Sequence, residues 1–180
     1  MRKIIVSEFL TLDGVMEAPE KWSFPFQNEE TQKIKYEELF ASDMLLLGKV
    51  TYQSFSKSWP SRQGNFADRM NNIPKYVVST SLHQLPWNNS FQIKDQAVEQ
   101  ISRLKQQPGQ DILVVGSGLL AQTLVQYDLV DDYRFLIHPI VLGSGERFYK
   151  EGSQAALKLI QAQAFGTGMV FMKYQSERNQ

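Results

Sequence analysis

The feature that most constrains this chain is a run of apolar residues that leads through two glycines into a helical pattern, DILVVGSGLLAQTLV at residues 111–125. The four consecutive apolar residues 112–115 are typical of a strand buried on both faces, and apolar side chains recur at helical spacing after Gly118. Glycines at such a junction permit unusual backbone angles, and the free N–H groups at a helix start attract phosphate. The segment therefore predicts a strand-to-helix turn that binds a phosphate-bearing ligand.

The rest of the chain alternates between strand and helix patterns. A second junction of strand, glycine and helix lies at Leu47-Gly48-Lys49, whereas Pro19 and Pro25 forbid a regular element before about residue 28. The patterns predict a loop at 58–65, strands at 4–10, 44–47, 76–78, 112–115 and 133–137, and helices at 28–41, 51–55, 97–104 and after 118. The last segment alternates about Gly166-Thr167-Gly168, which predicts a carboxyl-terminal antiparallel hairpin.

This alternation predicts an α/β fold with a largely parallel sheet that helices cover on both faces. If these strands are parallel, the loops after Leu47, Val78 and Val115 open at one edge, where α/β sheets bind their ligands. All of these loops carry glycine, hydroxyl or lysine donors. They favour an elongated ligand such as a dinucleotide over a single phosphate.

Composition excludes several other classes of protein. The chain has 180 residues, 42% of them hydrophobic, which fits one domain spanning residues 1–180. Basic and acidic residues number 19 each, so no overall basic field indicates a nucleic-acid partner. Because the chain lacks cysteine and any apolar run near the roughly 20 residues of a membrane span, we expect a cytoplasmic protein. The two histidines lack partners at ligand spacing, so no metal site is predicted.

The stretch GSGLLA at residues 116–121 also matches the Gly-x-Gly-x-x-Gly/Ala pattern of a Rossmann unit. That pattern normally opens a further series of strands and helices. The residues that remain here are few and mainly strand-like, which argues against a Rossmann fold.

A set of short motifs follows in order along nearly the whole chain: TLDG at 11–14, LGKVTY at 47–52, VST at 78–80, VGSG at 115–118, and LVDDY at 129–133 running to PIVLGSG at 139–145. In this order they resemble the dihydrofolate reductase-like superfamily, most closely the branch named for the carboxyl-terminal reductase domain of the bifunctional riboflavin-biosynthesis deaminase-reductase. The resemblance implies a three-layer α/β/α fold with a mostly parallel mixed sheet of about eight strands and a carboxyl-terminal antiparallel hairpin. It also implies NADPH as cofactor and hydride transfer to a small heterocyclic or ribosyl substrate.

The resemblance assigns cofactor-binding roles to single residues. Two helix starts and one strand end are implied to hold the cofactor phosphates, through Gly48, Lys49, Thr51, Ser79, Thr80, Gly116, Ser117, Gly118 and Leu119. Lys49 stands where the family has arginine, so it keeps the charge and loses the bidentate fork. NADPH is therefore favoured over NADH.

Candidates for the substrate side lie in the loop after the first strand. Asp13 is implied to bind the substrate or to help deliver a proton, Gly14 begins the family's mobile loop, and the ring pocket would be walled by Trp22, Phe24 and Phe26. Structural interpretations stay open beside these roles. Asp-Gly is a frequent turn pair, and aromatic residues of long loops often form a satellite core.

The substrate class is less constrained than the cofactor. True dihydrofolate reductases carry an acid in the first helix that contacts the pterin ring, and the candidates here, Glu29 and Glu30, are not in register. A phosphate-bearing ribosyl substrate would instead need basic residues such as Lys21, Arg62 or Arg147. The chain has no zinc motif of a deaminase, since it lacks cysteine and His-x-Glu.

The leading hypothesis is an NADPH-dependent reductase resembling the 5-amino-6-(5-phosphoribosylamino)uracil reductase of riboflavin biosynthesis. The alternatives are a dihydrofolate or pterin reductase, a non-catalytic nucleotide-binding module that keeps the cofactor cleft, and a purely structural domain. Because members of the family often pair, a homodimer is also expected, with the hairpin or Val141-Leu142 at the interface.

Overall fold

The apolar segments fold into a single sheet in the computed structural model of the protein, which describes residues 1–177. The strands are β1 (Ile4–Thr11), β2 (Ser42–Gly48), β3 (Lys75–Val78), β4 (Ser90–Ile93), β5 (Asp111–Val115), β6 (Asp132–His138), β7 (Leu157–Ala164) and β8 (Val170–Ser176). The helices are α1 (Glu29–Phe40), α2 (Lys49–Ser58), α3 (Asn65–Asn72), α4 (Ala97–Gln106) and α5 (Gly118–Gln126). Short 3-10 helices at Pro19–Lys21 and Phe24–Phe26 occupy the connection that was expected to be irregular.

The strand order is β4-β3-β2-β5-β1-β6-β8-β7. All neighbours from β4 to β6 pair in parallel, β8 pairs antiparallel with β6, and β7 pairs antiparallel with β8. This arrangement confirms the eight-stranded mixed sheet and the carboxyl-terminal hairpin. No helix among residues 1–177 is long and apolar enough to cross a membrane.

The sheet is the middle of three layers, because its central strands bury side chains on both faces. On β1, Ile4 and Val6 pack into a cluster with residues of α4 and α5, whereas Ile5 packs into a second cluster with residues of α1, α2 and α3. Burial of one such side chain stabilises the fold by about 1.5–3 kcal/mol. Strands buried in this way have the continuous apolar runs seen in the sequence.

Two elements, α3 and β4, have no clear signal in the sequence. In α3 only Ala67 and Met70 are buried, and α3 begins within the segment expected to be a loop. In β4 only Ile93 is buried, because this strand lies at the edge of the sheet and pairs with β3 alone. Their hydrophobic patterns are therefore too short to indicate a helix or a strand.

A buried lysine holds this side of the sheet together. The Nζ of Lys75 donates to the backbone carbonyls of Asn71 (3.0 Å), Ile73 (2.7 Å) and Asn88 (3.1 Å) and lies 4.3 Å from the centre of the Trp87 ring. Burial lowers the pKa of this lysine from 10.5 to about 8, while an ammonium group supplies the three N–H donors that the carbonyls need. Lys75 thus ties the end of α3 to the loop before β4.

The carboxyl edge of the sheet has a step between β5 and β1. In the pairing of these strands, β5 ends at Val115 opposite Ser7. The pairing of β1 with β6 continues as far as Thr11 opposite His138. At about 3.3 Å per residue, β1 and β6 rise about 13 Å above the end of β5. They form a wall at one end of the edge on which the predicted cofactor loops lie.

Candidate functional site

The loops that follow β2, β3 and β5 lie together at the carboxyl edge of the sheet, as the parallel pairing requires. Helix α2 begins at Lys49 directly after β2, and helix α5 begins at Gly118 shortly after β5. Neither helix has a side-chain cap on its first N–H groups. Two adjacent helix N-termini therefore keep free backbone donors and a positive dipole end, which together favour a bound anion.

The loops after β2 and β5 share atoms. The Gly48 N–H donates to Ser117 Oγ at 2.7 Å, and a Cβ added to Gly48 would lie 3.1 Å from the Ser117 Cβ. Gly116 has a φ of +61° and packs so closely on Thr51 that a Cβ there would lie 2.8 Å from the Thr51 Oγ1. These glycines are required by close approach, and they hold the two helix starts in one fixed arrangement.

Ser117 has a left-handed backbone conformation, with a φ of 68°. Its hydroxyl is occupied by Gly48, so it does not cap α5. This contact gives the Ser117 side chain a structural role. The side chain braces the neighbouring loop, and the backbone N–H groups of Gly118 and Leu119 at the start of α5 remain without a side-chain cap.

A lysine and hydroxyl groups lie at the end of the site beside β3. The Lys49 Nζ donates to Ser81 Oγ at 2.9 Å, and Thr80 is exposed. Ser79 is buried, and its Oγ accepts from the N–H groups of Ser81 and Leu82 at 3.2 Å each. Of the two hydroxyl groups predicted to bind the cofactor, Thr80 is exposed, whereas Ser79 is buried and closes a turn. The sequence analysis did not include Ser81 among the site residues.

An acidic side chain lies over the start of α5. A Cβ added to Gly118 would lie 2.9 Å from Glu146 Oε1 and 3.1 Å from Met16 Sδ, so these groups contact the backbone of Gly118. The Glu146 N–H in turn donates to Glu17 Oε2 at 3.0 Å. Glu146 is exposed, and it must turn away if a phosphate group is to bind at this helix start.

Asp13 is bound by backbone groups of the loop at residues 139–147. Its carboxylate accepts from Thr11 Oγ1 (2.6 Å) and from the N–H groups of Gly143 (2.8 Å) and Leu142 (3.2 Å). The Thr11 hydroxyl and these N–H groups hold the pKa of Asp13 at about 2. With Gly14 at a φ of +81°, the pair forms a tight turn. These contacts favour the turn interpretation of Asp13 over a role as proton donor.

Trp22 and Phe26 pack around a buried histidine instead of lining an open pocket. Their ring centres lie 5.0 and 5.8 Å from that of His138, at near-perpendicular angles. His138 Nδ1 lies 2.9 Å from the Leu136 carbonyl oxygen, and burial lowers the pKa of the ring. His138 is therefore neutral at pH 7, and Trp22 and Phe26 act as a satellite core. Phe24 is 64% exposed and contacts none of these rings.

The acidic residue of α1 that reaches the sheet is Glu38, not Glu29 or Glu30. Glu38 Oε2 accepts from Ser7 Oγ at 2.7 Å and from Lys35 Nζ at 3.1 Å, and Lys35 Nζ also donates to Ser7 Oγ at 2.5 Å. Because Ser7 lies opposite the last residue of β5, this network is level with the cofactor loops. From the sequence alone, Lys35 and Glu38 resemble exposed charged residues of a helix, so the sequence analysis did not select them as site residues.

A second buried acid, Glu8, lies on the opposite face of β1. It is 4% exposed, burial raises its pKa from 4.5 to about 8, and Lys35 and the nearby Gly116 N–H oppose that shift. Its Oε1 has no hydrogen-bond partner among residues 1–177. The sequence carried a signal for this residue, since a glutamate within the apolar run IIVSEFL at 4–10 is unusual for a strand buried on both faces.

Two of the basic residues predicted to bind a substrate phosphate, Arg62 and Arg147, have partners outside the network of Lys35, Ser7 and Glu38. Arg62 stacks on Trp59 at 4.4 Å, and Arg147 Nε donates to the Asp13 carbonyl at 3.1 Å. A broad open depression of about 860 Å³ lies between α5 and residues 148–154. Of the predicted cofactor-binding residues only Leu119 lines it, and the loops after β2 and β3 contribute nothing to its lining, so we place the site at the strand ends.

The eight-stranded sheet and the loops after β2, β3 and β5 define a reductase-like α/β protein of the dihydrofolate reductase type. Residues 2–171 match the model of the family described as the RibD C-terminal domain. The chain therefore belongs to the RibD C-terminal domain family, as its motifs indicated.

Three similar proteins each overlap with nearly the whole chain. "Uncharacterized protein YyaP" of Bacillus subtilis (strain 168) is 26% identical over 190 residues, which cover 96% of this chain and 94% of the relative. A pyrimidine reductase-like protein of Corynebacterium diphtheriae has a TM-score of 0.76 at 12% identity and matches 99% of this chain and 93% of its own. A dihydrofolate reductase of Enterococcus faecalis, solved with NADP(H), has a TM-score of 0.68 at 13% identity over 98% of this chain and 97% of its own. At these identities the structures support the fold.

Proposed function

We propose that the protein is an NADPH-dependent reductase of a small heterocyclic or ribosyl substrate. The observation that carries the proposal is the interlocked pair of uncapped helix starts at Lys49 and Gly118, with a lysine ammonium beside them. Backbone donors, two helix dipoles and a cation in one place suit a ligand with several phosphate groups. Membership of a family with the fold of an NADP(H)-binding enzyme supports the same conclusion.

The arrangement of donors fits NADPH in one direction. The adenosine 2′-phosphate would lie beside Lys49, Thr80 and Ser81, and the pyrophosphate would lie at the start of α5. The nicotinamide end then points toward β1, where the wall formed by β1 and β6 ends the edge. The roles of the individual residues in cofactor binding stay predictions.

When bound, NADPH supplies the hydride, and the chain's own residues position the substrate. On the α1 side of β1, the Lys35 ammonium is the donor that suits a carbonyl or hydroxyl oxygen of a substrate, because Ser7 and Glu38 take two of its three protons. The Ser7 hydroxyl donates its one proton to Glu38, so it fixes this network without being a further donor. The Lys35 side chain is 19% exposed, so it lies between the interior and the open edge.

The first turn of α1 gives the dihydrofolate alternative no support. Glu29 and Glu30 lie in its first turn, and Glu30 Oε2 accepts from Asn28 Nδ2 (3.0 Å) and from the Gly166 N–H (3.3 Å). No acid of this turn reaches Ser7 on β1 in the described structure. We therefore favour a pyrimidine-like or ribosyl substrate. The non-catalytic module predicts the same cofactor affinity without turnover.

Calorimetry with NADPH and NADH tests the cofactor assignment, and loss of NADPH absorbance with a panel of pterins, ribosylamino-pyrimidines and simple aldehydes tests turnover. Lys49→Ala should weaken NADPH more than NADH, by about tenfold, because a charge-assisted contact to the 2′-phosphate is worth about 1.5–3 kcal/mol. Lys57→Ala, at the exposed end of the same helix, is the matched control and should change neither affinity. Equal loss for both coenzymes would contradict the placement of the 2′-phosphate, and no heat with either would overturn the proposal.

We also propose that the chain forms a homodimer through the hairpin of β7 and β8. Strand β7 is exposed along most of both faces, and Leu159 and Ile160 are 51% and 45% exposed. An edge strand with apolar side chains on both faces is a liability in a monomer. Sedimentation equilibrium should show a dimer that Ile160→Asp shifts toward monomer, and a wild-type monomer at micromolar concentration would refute the assignment.

A further inference from the structure

Glu8 is placed where the sheet edge steps up from β5 to β1. β5 ends opposite Ser7, so Glu8 is the first residue of β1 beyond the end of β5. Val6 and Leu10 flank it on the same face of the strand, and its neighbour on β6 is Phe135. The carboxyl group is thus a polar group among apolar side chains, and the N–H of Gly116, in the loop before α5, is near enough to lower its pKa.

This position coincides with the expected nicotinamide end of the coenzyme, and the inference therefore rests on the proposed function. If the 2′-phosphate lies at Lys49 and the pyrophosphate at α5, the coenzyme continues toward β1 and stops at the wall. Glu8 is the buried acid at the foot of that wall, and its Oε1 has no hydrogen-bond partner among the described residues. A carboxyl oxygen without a partner in the interior is costly unless a ligand completes the site.

We propose that Glu8 contacts the nicotinamide end of the coenzyme and balances its charge, with a protonated carboxyl beside the reduced ring and a carboxylate beside the oxidised ring. Bound NADPH would supply a hydride, which is two electrons and one proton, to the substrate, and the reduced substrate would take its further proton from solvent. The nicotinamide ring would then carry one positive charge. The proton of the Glu8 carboxyl would pass to solvent, so the net charge of ring and carboxyl together would stay constant.

The groups that surround Glu8 have opposing effects on its pKa. Burial raises the pKa to about 8, Lys35 across the strand lowers it, the Gly116 N–H lowers it, and Glu38 beside Lys35 raises it. From α5 and β6 the packed side chains are apolar, including Leu120, Ala121 and Phe135. A new positive charge nearby would therefore convert a mostly neutral acid into a carboxylate near neutral pH.

The test compares the affinities of NADP⁺ and NADPH for the wild-type protein from pH 6 to pH 9.5, by calorimetry or by quenching of tryptophan fluorescence. The ratio of the two affinities should shift toward NADP⁺ as pH rises, about tenfold for each unit by which the charged ring lowers the Glu8 pKa. The 2′-phosphate and pyrophosphate are common to both ligands, so their titration cancels in the ratio. Glu8→Gln should abolish the pH dependence, and Glu99→Gln, an exposed change on α4, should retain it.

The outcomes separate this inference from the proposed function. If both coenzymes bind and the wild-type ratio is flat with pH, Glu8 does not compensate the ring and the inference is overturned. A pH-dependent ratio that persists in Glu8→Gln also overturns it, since another group must then titrate. If neither coenzyme binds, the proposed function fails first. A flat wild-type series overturns the inference even if Glu8→Gln folds poorly.

Discussion

Glu8 also makes the stability of the free protein depend on pH, and Glu8→Gln should remove that dependence. The folded-state pKa of about 8 lies above the ordinary value of 4.5, so the folded protein binds more protons than the unfolded chain between these values. The stability from the neutral acid is fully present below pH 4.5 and is lost as pH rises to about 8. A glutamine has nearly the same shape, carries no charge at any pH, and can still accept from the Gly116 N–H.

The size of the effect follows from the two pKa values. Between them, each pH unit costs the wild type about 1.4 kcal/mol of unfolding free energy, which amounts to about 3 kcal/mol at pH 7 and about 5 kcal/mol above pH 8. Glu8 is almost completely buried, so bulk solvent screens little of this cost. Relative to the wild type, Glu8→Gln should therefore gain stability steadily as pH rises from 5 to 8.

Urea unfolding followed by circular dichroism at pH 5, 6, 7 and 8 measures this difference. His138, Lys75 and the other titrating groups are the same in both proteins, so their contributions cancel. Glu99→Gln is the control for removing one carboxylate from the surface, and its difference from the wild type should stay constant with pH. A constant difference for Glu8→Gln would refute the idea that Glu8 is buried as a neutral acid.

Three further perturbations have defined outcomes. Gly116→Ala forces a side chain into a left-handed conformation against Thr51, so urea unfolding should show a loss of about 1–2 kcal/mol and NADPH affinity should fall at least tenfold by calorimetry. Lys75→Met leaves three carbonyls without donors and should cost about 3 kcal/mol in urea unfolding; because burial lowers the lysine pKa from 10.5 to about 8, the wild type gains stability as pH rises between these values, so the measured loss should grow from pH 8 to pH 10.5. Asp13→Asn should remove the loss of stability that the wild type shows as pH falls from 3.8 to about 2, and acid unfolding monitored by fluorescence checks this.

The architecture was predictable because its central strands β1, β2 and β5 are buried on both faces. The runs at β2 and β5 are apolar without interruption, and each leads into a helix through glycine. β4 escaped prediction because it packs at the sheet edge with one buried side chain, Ile93. α3 escaped because burial of two residues in eight gives no reliable period.

The candidate site was predictable where it consists of backbone turns and less so where side chains form it. Helix starts after glycine can be read from local sequence, so the turns at Gly48 and Gly116 were predicted, while their role in cofactor binding stays a prediction. The partner of a side chain depends on strand register and helix packing, which local sequence does not encode. For this reason the sequence did not show that Ser79 closes a turn. It also did not single out Glu8, Lys35 and Glu38, which are far apart in the sequence and come close together only in the fold.

Because Gly48 and Ser117 are in contact, we expect these two positions to covary among related sequences. A methyl group at position 48 collides with the side chain at 117, whereas glycine at 117 would both make room and suit the left-handed backbone there. Related sequences that carry alanine at the first position should therefore carry glycine at the second. A substitution in one turn therefore requires a compensating substitution in the other, although the two positions are 69 residues apart along the chain.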